Sequence, residues 1–72
     1  MNKYMVEIYE TVLPEMAAHG IEDTTLNRIA FLSGLLDGWL EDESRSAEKS
    51  LYVSALALEI FYLKLTQIRS MK

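Results

Sequence analysis

His19 is the only imidazole in a chain of 72 residues. Glu15 precedes it by four positions, so on a helix the two meet across one turn. With Glu22 or Asp23 close by, these are the residue types of a weak metal site or an acid–base pair. His19 also stands directly before Gly20, where a helix is expected to end, and the helix dipole favours a histidine there. That capping role is the expected one. Ser33, Ser44, Ser46, Ser50 and Ser54 supply hydroxyls, yet none has a histidine nearby in sequence or the setting of a nucleophile elbow. There is no Gly-rich phosphate loop and no dinucleotide fingerprint. The absence of cysteine rules out disulfides and Cys-based zinc sites, and one histidine rules out a His-rich site within one chain. No catalytic, cofactor-binding or metal residue is therefore expected. An active site shared across a dimer is the only enzymatic route left.

A second constellation is acidic. Asp37, Glu41, Asp42 and Glu43 gather where the second helix should end, where negative charge opposes the macrodipole. Such a cluster suits a basic partner surface or mimics phosphates; without a partner it is a solvated joint that Arg45 and Lys49 partly neutralise. Trp39 lies within it, and tryptophan is favoured where an apolar body is buried at an interface. Asp37, Trp39, Glu41, Asp42 and Glu43 are therefore the expected partner-binding residues. Tyr4, Tyr9, Tyr52 and Tyr62 suit an interface or the rim of a core equally well. Met1, Met5, Met16 and Met71 fall near the ends of the outer segments, where gap-filling is their ordinary use.

Three helical segments must position these groups, at about 3–18, 25–42 and 46–70, as one all-α domain over 1–72. His19-Gly20 followed by Glu22-Asp23-Thr24-Thr25 reads as a C-cap and then an N-cap. Asp42-Glu43-Ser44-Arg45-Ser46 reads as a second joint, with Ser44 or Ser46 as the next N-cap. In the first segment Met5, Ile8, Val12 and Met16 share one face. Pro14 lacks an N–H and clashes with the Glu10 carbonyl, so a kink, or a new short helix beginning at Pro14, is expected. The second segment carries Leu26, Ile29, Leu32, Leu36 and Leu40 as its core stripe. Ala30, Gly34 and Gly38 recur at i, i+4, i+8; each interior glycine costs about 1 kcal/mol relative to alanine, which suggests a face where another backbone comes close.

The third segment is apolar on every side. Between Leu51 and Leu65 only Ser54, Glu59 and Lys64 are polar, spaced roughly 140° apart on a helix, so no polar stripe forms. At ~37 Å it would overhang a compact globule of this length, which is about 29 Å across. Two seams can be drawn: Leu51, Ala55, Leu58, Tyr62, Leu65, and Val53, Leu56, Ile60, Leu63, Gln67. Two seams suit two neighbours, its own chain and a second copy; Leu56, Ile60 and Leu63 are the expected dimer interface. A strand over Ile60–Ile68 is the competing assignment, on β propensity alone.

Net charge is −4, and the basic residues (Lys3, Arg28, Arg45, Lys49, Lys64, Arg69, Lys72) are dispersed, so direct nucleic-acid binding is not expected. Half of the residues are hydrophobic, which is high for so small a domain. The Leu51–Leu65 run falls short of the ~20 residues that cross a bilayer, no signal peptide is visible, and no membrane partner is expected. The lack of cysteine agrees with a cytoplasmic location. The reading is a non-enzymatic interaction module that homodimerises: a small acidic regulator, inhibitor or adaptor occluding a partner protein, of the general type found among phage and mobile-element factors. The alternative is a purely structural, self-assembling helical subunit.

Overall fold

The chain is all-α. A computed structural model describes residues 1–44 and 46–71, and among them there are three helices and no strand: α1 (Lys3–Ala18), α2 (Thr25–Leu40) and α3 (Ala47–Ser70). Each start has a side-chain cap, which satisfies an otherwise orphaned N–H. Asn2 accepts from the Tyr4 N–H at 2.7 Å, Thr24 from the Asn27 N–H at 3.1 Å, and Ser46 from the Lys49 N–H at 3.1 Å. Of the two serines considered for the last cap, Ser46 fills it. Ser44 instead bonds Asp42 within the joint.

α1 ends in a Schellman turn. Gly20, at φ +69°, donates to the Ala17 carbonyl, and the Ile21 N–H reaches back to the Met16 carbonyl. A Cβ is disfavoured at that φ, so glycine is required there. Pro14 does not divide the segment: the helix runs unbroken from Lys3 to Ala18. Val12 and Met16, both almost fully buried, anchor it on either side of the proline.

The core draws on all three helices. α1 contributes Met5, Ile8, Tyr9, Val12 and Met16, α2 contributes Leu32, and α3 contributes Ala55, Leu56, Ile60 and Leu63. Ile29, Phe31, Leu35, Leu36 and Trp39 of α2 pack around them, half-buried. α1 and α2 each lie against α3 while hardly touching each other, so α3 is the central element. At 24 residues it extends ~36 Å, which accounts for a long dimension of 40 Å in a molecule only 27 × 22 Å across.

Four readings need correction. Leu26 and Leu40, placed in the α2 stripe, are exposed; they sit in the first and last turns of α2. Gly34 and Gly38 are not at a close helix contact: a Cβ on either would meet nothing within 4 Å, and Ala30 is exposed too. Leu56, Ile60 and Leu63 are covered by their own chain, at 0, 6 and 7% exposure. Of the other seam, Leu51, Leu58, Tyr62 and Leu65 are exposed, while Ala55 is buried in the core. The strand assignment over Ile60–Ile68 also fails, since α3 continues through it.

Candidate interaction surfaces

Where α1 and α2 diverge, an apolar groove of about 370 Å³ opens between them. Ile8 and Val12 line it from α1, and Phe31, Leu35 and Trp39 line it from α2; Glu7, Thr11 and Glu15 form its polar edge. The spacing of Phe31, Leu35 and Trp39 puts one side chain per turn along a single side of α2. The Lys49 Nζ stands 4.4 Å from the centre of the Trp39 ring, a cation–π contact that ties the start of α3 to the end of α2. At the groove's edge, Tyr52 donates its hydroxyl proton to Glu7 Oε2, and its ring meets Tyr4 edge-on at 4.9 Å. Both contacts tie α3 to residues that line the groove, Trp39 and Glu7.

The expected partner-binding set does not form one surface. Asp37, Glu41, Asp42 and Glu43 are all exposed, whereas Trp39 is half-buried and turned into the groove. Residues two apart on a helix point about 200° apart, so Asp37 and Glu41 face away from Trp39. Asp42 Oδ1 accepts from both the N–H and the hydroxyl of Ser44, closing the joint locally. Arg45, expected to soften this acidity, lies outside the described residues, as does Lys72.

The candidate chemical groups are engaged in local structure. His19 is the C-cap of α1; its Nδ1 lies 2.9 Å from the Glu15 carbonyl oxygen and 3.7 Å from the Glu15 carboxylate. Asp23 turns away from it to take two hydrogen bonds from Arg28, at 2.5 and 2.8 Å, which hold its carboxyl below the usual range. Among the described residues no three His, Asp or Glu side chains are placed to hold a metal ion. Ser50 bonds the Ser46 carbonyl, Ser54 is exposed and Ser33 is half-buried.

One polar network escaped the sequence reading. Tyr9 is buried, and its hydroxyl donates to Glu59 Oε2 at 2.5 Å. The Arg28 guanidinium lies 4.8 Å from the Tyr9 ring centre and continues to Asp23. The only sequence signal for it was Glu59 interrupting an apolar run. Burial first, then the bond to the Glu59 carboxylate, push the Tyr9 phenol up to about 12. An acid whose folded pKa is raised contributes stability that is complete below its unfolded value and is lost as pH climbs toward the folded one. Stability should therefore fall between about pH 10 and pH 12. Circular dichroism followed alongside phenolate absorbance checks this, and Tyr9→Phe should flatten the loss; an unchanged alkaline transition would contradict it.

The remaining surface is the outer side of α3. Leu58, Phe61 and Tyr62 are 69, 61 and 60% exposed, with Leu51, Leu65 and Ile68 open beside them. By length and composition α3 could also cross a membrane: it has 24 residues and an 18-residue stretch of mean hydropathy 1.3. Against that, its inner side is committed to the core through Leu56, Ile60 and Leu63, and Glu59 binds Tyr9.

The fold and these surfaces define a three-helix, all-α chain with two open apolar areas and, among the described residues, no metal-type cluster. No protein-family model, curated protein or solved structure matches it.

Proposed function

We propose that this chain is a non-enzymatic protein–protein interaction module, a small acidic regulator or adaptor that homodimerises and acts by covering a partner's working surface. The observation that carries this reading is the amount of large apolar side chain left open on α3, opposite a core already filled. Burying a leucine- or phenylalanine-sized side chain is favourable by about 1.5–3 kcal/mol, so leaving six such groups in water is a large forgone stabilisation unless another surface covers them. The groove between α1 and α2, with Trp39 inside it and Glu7 and Glu15 at its edge, is the second surface and the one offered to a different protein.

The test is capture from the native host with the tagged chain. A specific protein should be retained by the wild type and lost with Trp39→Ala or Leu35→Asp, while circular dichroism stays unchanged. The paired charge reversals Glu41→Lys and Asp42→Lys ask whether the acidic joint contributes to the same binding. If the chain retains only further copies of itself, the structural reading, a self-assembling helical subunit, takes its place.

A further inference from the structure

The open side of α3 is ordered as a heptad seam. Leu51, Ser54, Leu58, Phe61, Leu65 and Ile68 follow 3-4-3-4-3 spacing, and all six are exposed. They lie on the side of the helix opposite Leu56, Ile60 and Leu63. Leu51, Leu58 and Leu65 take the a positions; Ser54, Phe61 and Ile68 take d. With the flanking Tyr62 they expose on the order of 700 Å² of largely apolar surface, near the ~800 Å² per partner of a standard stable interface and above the 300–600 Å² of a typical largest patch.

The charges beside the seam choose its direction. Lys64 falls at a g position; Glu48 and Arg69 fall at e. All three are exposed, and none makes an ion pair among the described residues. A parallel pair of helices sets each g beside the partner's e five residues on, which places Lys64 against the partner's Arg69, twice per dimer. An antiparallel pair matches a with d and e with e. Leu51 then meets the partner's Ile68, Ser54 the partner's Leu65 and Leu58 the partner's Phe61, so every seam residue has an opposite. In the same register Glu48 lies across from the partner's Arg69 at both ends.

We infer that two copies of this chain associate through an antiparallel, twofold pairing of α3 centred between Glu59 and Ile60. The inference rests on the homodimer reading above and fixes its surface and direction. The contact is isologous, so it closes at two copies, and it uses none of the residues that line the α1–α2 groove.

The lack of cysteine makes the test clean. Glu48→Cys and Arg69→Cys are made in separate chains, mixed, and oxidised gently, and mass is followed by light scattering. The expected result is a dimer with disulfides predominantly between the two variants and few within either one. A dimer that joins Glu48→Cys chains to each other, and Arg69→Cys chains to each other, overturns the antiparallel register while leaving the homodimer standing. A dimer that cross-links in neither way overturns the use of this seam. A monomer at tens of micromolar overturns both inferences, and a monomer that binds neutral lipid vesicles assigns the α3 seam to a membrane surface instead.

Discussion

Leu56→Ala should strip this protein of a large share of its stability. Leu56 is fully buried where α3 meets the other two helices, together with Leu32 and Met16. Removing three carbons there costs the transfer free energy and the cavity, about 2–5 kcal/mol in total. A domain of this length sits at the low end of the usual stability range, about 5 kcal/mol, with no disulfide to reinforce it. The substitution therefore removes about two-fifths or more of the available stability. Each kcal/mol shifts the melting temperature of so small a domain by about 4–8 °C, so thermal circular dichroism should show a fall of at least about 10 °C. Because dimerisation adds stability with concentration, wild type and variant must be compared at equal concentration. A melting temperature within a few degrees of wild type would mean that the core is not centred on Leu56.

Leu58→Glu, two positions along, should do the reverse: spare the fold and break the association. Leu58 is 69% exposed within one chain, so its replacement by another good helix former leaves the core untouched. In the dimer it faces the partner's Phe61 beside the twofold axis. Each copy would then bury an unpaired carboxylate in an apolar layer, twice per dimer. Association should weaken at least about 100-fold, equivalent to some 2.7 kcal/mol. Sedimentation equilibrium reads the change directly, and far-ultraviolet circular dichroism establishes that helicity is kept. Loss of helicity would place Leu58 in the core; unchanged association would remove it from the interface.

The contrast between Leu56 and Leu58 marks where sequence reading stopped. The face of α1 was legible except for Tyr9, since Met5, Ile8, Val12 and Met16 recur at helical spacing among polar residues and all four are buried. The caps at Gly20 and Ser46, the latter one of two serines considered, were legible because their chemistry is local, whereas the Asn2 cap of α1 was not read. The inner side of α3 was not legible. A helix apolar all round has no periodicity to separate the face that meets its own chain from the face that does not. Only the placement of α1 and α2 decides between Leu56 and Leu58.

The α1–α2 groove was hidden for a similar reason. Phe31, Leu35 and Trp39 recur at i, i+4, i+8 along α2. A groove exists only because α1 diverges from α2, which no residue of α2 encodes. The glycines misled for a different reason. Spacing at i, i+4 is compatible with a close contact, but Gly34 and Gly38 border open space. Trp39 and the acidic residues were grouped by sequence proximity, and helical geometry separates them again.

The most direct test of the account is the mass of the intact chain in solution, measured by light scattering across a dilution series into the low micromolar range. The account predicts twice the 8.3 kDa of the single chain, with dissociation appearing only on further dilution. A mass of 8.3 kDa throughout would contradict it, because the exposed side of α3 would then stand in water without a second copy.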